Sequence, residues 1–509
     1  MDFFQLIDGA EILSCSGNAG IHGVEYDSRR VKPGFCFLAM RGDSTDGNRY
    51  IDKAIELGAV AIVTDSATEI PRPGVAWAIC AHGRRALSRL SANFYKHPAE
   101  KLAITGVTGT NGKTTTTYIL DSLLRHAGRK TAMIGTVEYH IADRVIPAPH
   151  TTPEPLELNQ IFREALNEGA TEAVMEVSSH ALAQERVFGI PYDVAVFTNL
   201  TRDHLDFHGT MESYFQSKAT LFKGCGTEPP RVGIINRDDE WAEKFMKVAN
   251  KHCDKVYTYG FAAGDFHAEN AEMTSTGTRF DLVTPEGRVP IFSPLIGKVN
   301  VLNLLAAAAA AMERGIHLDS LAESITHIVR PPGRFERVSA GQPFTVIVDY
   351  AHTDDALRNV TKLARDFVQQ AGGGRVITLF GCGGDRDKTK RPLMGKAAGE
   401  GSDLVVLTSD NPRSEDPQAI INDVLPGLAQ TPIKFIVEPD RRKAIGIAVA
   451  NARLGDVVIL AGKGHEKTQT TREGVFPFDD AQVALETLHA AGYTAETEGS
   501  HHLHGSHIG

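Results

Sequence analysis

The chain has 509 residues, of which 42% are hydrophobic and 23% charged, and it carries a net charge of −10 at pH 7. That length exceeds what one hydrophobic core organises and predicts three domains of roughly 100–250 residues each, in an ordinary globular composition. The acidic balance argues against nucleic acid or an anionic membrane as partner, so an anionic ligand needs lysines and arginines concentrated at its site.

Residues 1–88 read as a small α/β domain, with strand-like runs at 35–40, 59–64 and 75–80 and an amphipathic stretch at 50–57. Within it, Tyr26-Asp-Ser-Arg-Arg-Val-Lys-Pro-Gly34 and Gly42-Asp-Ser-Thr-Asp-Gly47 are rich in turn residues. Ser28 and Arg29 suit the cradling of a nucleotide diphosphate. An exposed turn with a solvated charge explains them equally well.

Residues 89–333 form the predicted central domain. Strands at 102–108, 131–134, 173–177, 194–198 and 232–236 alternate with helical spacing, the pattern of a mostly parallel sheet with ligands at its carboxyl edge. After the first strand comes Gly106-Val-Thr-Gly-Thr-Asn-Gly-Lys-Thr114, leading into a helix at 113–126. Backbone N–H groups of Gly109, Thr110, Asn111 and Gly112 can converge there on a polyphosphate. Lys113 adds a point charge, and Thr114, followed by Thr115, offers a hydroxyl for Mg²⁺. The spacing departs from G-x-x-x-x-G-K-[ST], because the outer glycine falls one residue early, at Gly106.

The remaining motifs of this domain fall at later strand ends. Thr151-Thr152-Pro153 reads either as ligand-binding or as a helix N-cap. Glu176 is a candidate Mg²⁺ ligand, and Ser178, Gln184 and Arg186 follow on neighbouring helical faces. Asn199-Leu-Thr-Arg-Asp-His-Leu-Asp206 contains His204, and Lys218 lies in Tyr214-Phe-Gln-Ser-Lys-Ala-Thr-Leu-Phe222. By its own spacing Lys218 reads as an exposed helix lysine. Residues 256–292 alternate in short segments and predict an antiparallel insert. Gly297-Lys-Val-Asn-Val-Leu-Asn303 opens an alanine-rich helix, with Asn300 read as a cap and Asn303 as a purine-base contact.

Pro331-Pro332-Gly333-Arg334 reads as an interdomain hinge. The third domain, 334–495, opens with Val346-Ile-Val-Asp-Tyr-Ala-His352, and further strands are predicted at 376–380, 404–408, 435–437 and 457–460. This is a second doubly wound unit. Loops bearing Arg386, Asp410-Asn-Pro-Arg413 and Gly462-Lys-Gly-His-Glu466 leave carboxyl ends of its strands, so they can line one cleft. Its Gly381-Cys-Gly-Gly-Asp-Arg-Asp387 does not match the dinucleotide fingerprint. Residues 496–509 read as a disordered, histidine-containing tail.

The six cysteines, at 15, 36, 80, 225, 253 and 382, show no Cys-x-x-Cys spacing and favour reduced thiols. Asp2, Gln5 and Asp8 interrupt any apolar leader, and the longest apolar run, 304–312, is too short to cross a bilayer. A cytoplasmic protein without membrane insertion is expected.

The loop Gly-Thr-Asn-Gly-Lys-Thr-Thr and the ordered motifs after it resemble the Mur ligase family over residues 23–480. The fold implied is α/β in three domains: an N-terminal UDP-binding domain, a central ATPase domain and a C-terminal Rossmann-like domain. The activity implied is an ATP-dependent amide ligase of peptidoglycan precursor synthesis, acting as a monomer on small-molecule substrates. Carried over by position, Lys113, Thr114, Glu176, Asn303, Arg334 and Asp349 serve ATP and its Mg²⁺. His204 and a carbamylated Lys218 serve a second Mg²⁺. Thr151, Thr152, Ser178, Gln184 and Arg186, with Ser28 and Arg29, hold the UDP-linked substrate. Asp-Asn-Pro-Arg is similar to the motif of the branch that adds meso-diaminopimelate to UDP-MurNAc-L-Ala-D-Glu. Arg386, Asp410, Asn411, Pro412, Arg413, Gly462 and Glu466 would then bind the added amino acid. Addition of L-lysine, or folylpolyglutamate synthesis, is the alternative. The pattern usually has His where Asn48 stands and Pro where Asp354 stands.

Overall fold

The computed structural model describes residues 1–42, 45–274, 276–370 and 372–494. The tail and its histidines, expected to be disordered, lie outside the described residues, as does part of the 42–47 turn. The chain forms two compact units, one of residues 1–201 and 208–329, the other of 202–207 and 330 onward. Among the described residues, no helix is long and apolar enough to cross a membrane.

Among its described residues the first unit contains two sheets. The smaller runs in the order Ile12–Ser16, Ala76–Cys80, Ala61–Thr64, Phe35–Ala39, Gly23–Glu25, with only the first strand antiparallel. Its middle strands are apolar throughout because both faces are covered. Leu87 and Leu90 of helix Gly83–Phe94 pack on one side, and Ile51 and Ala54 of helix Ile51–Glu56 on the other. The three predicted strands are present. Ile12–Ser16 escapes sequence patterning because four of its five residues are exposed.

The larger sheet has eleven strands among the described residues. At its centre Tyr192–Phe197, Ala103–Thr108, Glu172–Glu176 and Thr131–Ile134 run parallel, so their carboxyl ends share one edge. The antiparallel insert predicted at 256–292 is corrected in part. Lys255–Gly260 pairs parallel with Val232–Asn236 and with Phe266–Met273, and only the last three strands form an antiparallel meander. The segment widens the main sheet. Helix Lys298–Glu313 carries Ala306–Ala311 with no exposed surface, and this helix shares a core with Leu120 and Leu124 of helix Lys113–His126. Alanine is both the best helix former and small enough to let two helices approach closely.

The second unit holds a six-stranded sheet in the order Glu336–Val338, Thr345–Asp349, Val457–Ala461, Val376–Phe380, Leu404–Leu407, Lys434–Val437. All but the first strand are parallel. A hairpin, Thr468–Thr471 with Gly474–Pro477, was not predicted from the sequence, since its strands have four residues each, the first all polar and the second apolar but mostly exposed. Beneath the carboxyl edge, Arg441 and Asp480 form an ion pair with both side chains fully buried. The guanidinium also donates to the carbonyls of Ser409 and Ala461 at 3.3 and 2.9 Å, which ties two strand ends together. Breaking such a pair strands a buried charge, at a cost of about 3–5 kcal/mol.

Candidate active site

The glycine loop leaves strand Ala103–Thr108 and enters helix Lys113–His126. Gly112 has φ +86°, and a Cβ there would lie 2.4 Å from Asn303 Oδ1. A Cβ on Gly109 would lie 1.8 Å from Thr198 Oγ1. Both positions therefore exclude any side chain. The neighbouring strand end braces the loop: Thr110 N donates to Asn199 O at 2.8 Å, Asn111 N to Asn199 Oδ1 at 2.8 Å, and Thr198 Oγ1 to Asn111 O at 2.7 Å. Thr198 and Asn199 are site-shaping residues absent from the sequence-based set. Thr198 ends the adjoining strand region and Asn199 opens the motif that contains His204, but neither is assigned a role of its own from the sequence.

Lys113 Nζ donates to the carbonyls of Gly109 and Thr110, at 2.9 and 2.8 Å. Lys218, read from spacing as an exposed helix lysine, is instead 1% exposed and donates to Gly109 O at 2.7 Å. Its ammonium also lies 4.6 Å from the centre of the Tyr214 ring. Lys113 and Lys218 thus converge on one loop carbonyl, that of Gly109.

Glu176 ends its strand 1% exposed, and Thr136 holds its carboxylate, donating through N at 2.7 Å and Oγ1 at 3.0 Å. Thr151 and Thr152 do not cap the next helix, which begins at Pro155 behind Glu154. Thr152 Oγ1 instead donates to Glu176 O at 2.8 Å and accepts from Ser178 N at 3.1 Å, and Thr151 meets the Thr136 hydroxyl at 3.1 Å. Ser178 caps helix Ser179–Ala183, and Gln184 follows that helix directly. Arg186 donates to Thr152 O at 3.2 Å and pairs with Glu154 at 3.0 Å. Glu154 in turn pairs with Arg84 of the N-terminal domain at 2.8 Å. The structure therefore gathers Thr151, Thr152, Glu176, Ser178 and Arg186 around one strand edge.

Other assignments change. Arg29, paired with Asp27 at 2.6 Å, has 86% of its side chain exposed, and Ser28 is buried in a short turn capped by Asp27. Asn48 is buried, donating to Asp46 and Asp65 and accepting from Thr64 Oγ1 at 2.6 Å, which makes it a brace of its turn. Asn300 lies inside helix Lys298–Glu313, whose N-cap is Gly297, and its side chain donates to Ile296 O. Asn303 packs against the glycine loop, accepting from Thr116 Oγ1 at 3.4 Å.

His204 falls in the stretch 202–207 that groups with the second unit. There Asp203 lies 3.3 Å from His204, 3.7 Å from His352 and 3.7 Å from Lys390. Burial alone would raise the Asp203 carboxyl, but the His352 hydrogen bond, the facing His204 and His352 rings and the Lys390 ammonium hold it well below the usual range. Asp349 accepts from the N–H groups of Phe335 and Ala351, both at 2.8 Å, and burial raises its carboxyl despite the nearby Arg334. Arg334 lies over the Tyr350 ring at 4.7 Å. Gly333, read as part of a hinge, is closely packed. A Cβ on it would meet His465 N at 2.0 Å.

The three loops of the second unit do meet. Asn411 Nδ2 donates to Glu466 Oε2 at 2.7 Å, and a Cβ on Gly462 would lie 3.4 Å from Asp410 Oδ2. Arg413 donates to Gly384 O at 2.6 Å, and its guanidinium lies beside Gly383, which the exposed Arg386 also flanks. Pro412 packs with its carbonyl against Gly384. Glu415, unassigned from the sequence, joins two of these loops by accepting from Asp385 N at 2.6 Å and from Arg391 at 2.8 and 3.0 Å.

The Arg391 hydrogen bonds, with the Asp385 N–H and Lys388, hold the Glu415 carboxyl down at about 2. A carboxyl depressed on folding stabilises the fold above its ordinary value and loses that contribution as pH falls through the folded value. The thermal midpoint of Glu415→Gln should lie below that of the unmutated protein at pH 7. The gap should close as pH falls from about 4.5 towards 2. A gap that stays constant over that range contradicts the assignment.

Family models match in three segments: "Mur ligase family, catalytic domain" over residues 20–95, "Mur ligase middle domain" over 107–311 and "Mur ligase, glutamate ligase domain" over 333–464. The chain belongs to the Mur ligase family. One similar relative, from Solibacter usitatus, is a UDP-N-acetylmuramoyl-L-alanyl-D-glutamate–2,6-diaminopimelate ligase, 52% identical over 93% of this chain and 94% of its own. Another of that name, from Geobacillus thermodenitrificans, is 46% identical over 92% of this chain and 95% of its own. A solved structure of a ligase of the same name, 34% identical, superposes with a TM-score of 0.65 over 93% of this chain and 96% of that one. The N-terminal α/β domain, the phosphate-loop sheet and the Rossmann-like unit are the three-domain architecture of Mur ligases.

Proposed function

We propose that this Mur ligase joins meso-2,6-diaminopimelate to UDP-N-acetylmuramoyl-L-alanyl-D-glutamate at the expense of ATP. The observation that carries the substrate choice is the meeting of loops in which Asn411 bonds Glu466 at 2.7 Å while Arg413, two residues on, bonds Gly384 O at 2.6 Å. A carboxylate suits an ammonium, and a guanidinium fork suits a carboxylate. Together they fit the second amino-acid group of diaminopimelate, which L-lysine lacks. The names of the relatives support the same substrate.

The D-glutamate carboxylate is a poor electrophile and needs activation. Its oxygen attacks the ATP γ-phosphorus, the bond to the ADP oxygen breaks, and an acyl phosphate forms. The incoming amine then adds to the acyl carbon, loses a proton and expels phosphate. No protein nucleophile is required. The loop N–H groups and Lys113 bind and orient the polyphosphate and offset charge on the transferring group. Arg334, Asp349 and Asn303 are assigned to ATP by their motif positions. Thr151, Thr152, Ser178, Gln184 and Arg186 are assigned in the same way to the UDP-linked substrate.

The donor set fits Mg²⁺: the Thr114 hydroxyl and the Glu176 carboxylate are hard oxygens, the latter already oriented by Thr136. When bound, Mg²⁺ supplies charge neutralisation at the phosphates. Lys218 as a carbamate, together with His204, is assigned to a second Mg²⁺ by motif resemblance.

Phosphate release with the UDP-linked dipeptide and ATP, measured with meso-diaminopimelate, L-lysine or a folate as co-substrate, tests the reading. Diaminopimelate should support turnover about 100-fold better than L-lysine. Equal or better use of L-lysine, or turnover on folate, would overturn it.

A further inference from the structure

At the base of the second unit's pocket lies Lys463, a lysine with no exposed side chain. Its ammonium donates to Asn411 Oδ1 at 3.0 Å, to Thr468 O at 2.7 Å and to Glu466 Oε2 at 3.3 Å, and it lies 3.4 Å from Asp410 Oδ1. One buried cation therefore touches the Asp-Asn-Pro-Arg loop, the Gly-Lys-Gly-His-Glu loop and the start of the hairpin. An ammonium has three N–H groups, and these contacts occupy all of them.

Two consequences follow from that geometry. Asn411 Oδ1 accepts from both Lys463 and Thr470 N, the latter at 2.9 Å, so its two lone pairs are used and the amide has one orientation. The Asn411 amide nitrogen must then face Glu466, leaving its second N–H for a ligand. The second consequence concerns charge. Asp410 and Glu466 together carry two negative charges, and Lys463 cancels one of them in a buried setting where screening is weak. What remains is one net negative charge on the Asp410, Glu466 and Lys463 cluster, enough for one ammonium, with the Arg413 guanidinium on the neighbouring Gly384 carbonyl.

We infer that Lys463 is a positioning and selectivity-determining residue, which fixes the Asn411 amide and sets the pocket's charge to accept a zwitterionic amino-acid group over a bare ammonium. The inference rests on the ligase reading above. Without Lys463, two uncompensated carboxylates favour the terminal ammonium of L-lysine and repel the distal carboxylate of diaminopimelate.

The test is steady-state kinetics of the full-length enzyme with both amino acids. Lys463→Met should raise KM for meso-diaminopimelate about 30-fold, with KM for ATP unchanged within about threefold. It should also move the kcat/KM ratio of L-lysine to diaminopimelate about tenfold towards L-lysine. The double variant Lys463→Met with Asp410→Asn removes one charge of each sign, which keeps a soluble comparison available should the single variant not fold. It should return the ratio to near that of the unmutated enzyme while KM for diaminopimelate stays raised, because the Asn411 orientation is still lost. A folded single variant with an unchanged ratio, or a double variant with an unchanged KM, overturns the inference. Preference of the unmutated enzyme for L-lysine overturns the underlying ligase reading instead.

Discussion

Replacing Lys113 with alanine should lower acyl-phosphate formation by about 10³-fold or more while leaving the fold intact. The two effects separate because of what Lys113 touches. Its hydrogen bonds go to the carbonyls of Gly109 and Thr110, on the same loop, each worth about 1 kcal/mol net. The loop's shape comes from elsewhere: Thr198 and Asn199 bond its backbone, and Gly112 leaves room for Asn303. Loss of the ammonium therefore leaves a formed loop with one fewer charge at the transferring phosphoryl group. Lys113→Arg should not restore the rate, because a planar fork cannot occupy the place of a compact ammonium between two carbonyls. Trapping the acyl phosphate with hydroxylamine in the absence of the amino acid reads the step directly. Unchanged circular dichroism together with acyl-phosphate formation within tenfold of normal would remove Lys113 from the mechanism.

Arg413→Ala carries the second large effect. Arg413 is held at φ +53°, with its N–H donating to Thr470 O at 3.0 Å and its guanidinium to Gly384 O at 2.6 Å. A non-glycine residue persists in the left-handed region only where its surroundings over-determine it, so the side chain is aimed by the backbone. Removing a charged hydrogen bond to a ligand carboxylate costs about 2–4 kcal/mol, which predicts a loss of diaminopimelate turnover of about 30- to 1,000-fold. Alanine leaves the backbone bond to Thr470 in place, so folding and ATP binding should be retained. Low turnover with L-lysine should not fall in parallel, since L-lysine has no distal carboxylate to lose. A parallel fall with both amino acids would assign Arg413 a structural role in the loop instead.

The architecture was legible where it depends on local period. The glycine loop is one contiguous stretch between a buried strand and a helix, so its chemistry could be read without tertiary information. The parallel order of the central strands placed Glu176 at the same edge as that loop, since βαβ connections bring successive carboxyl ends together. The same reasoning puts the loops of Asn411, Arg413 and Glu466 at one carboxyl edge.

Other features depend on partners far away in the chain. Lys218 looked exposed because its helix neighbours are mixed, yet the carbonyl it meets belongs to Gly109, on another strand's loop. Thr152 had the local signature of a helix cap, but its hydroxyl engages Glu176 and Ser178 instead. Lys463 lies in Gly462-Lys-Gly-His-Glu466, where nothing local shows that its ammonium is buried between two carboxylates.

Periodicity, glycine placement and motif order by themselves determined the α/β class, the phosphate loop and the strand ends that carry chemistry, because each is encoded within a few residues. Tertiary structure alone decided which carbonyl takes a buried ammonium, which hydroxyl clasps which loop and how many charges face the pocket. Those outcomes depend on groups that fold into contact from distant parts of the chain, where burial removes water as the competing partner.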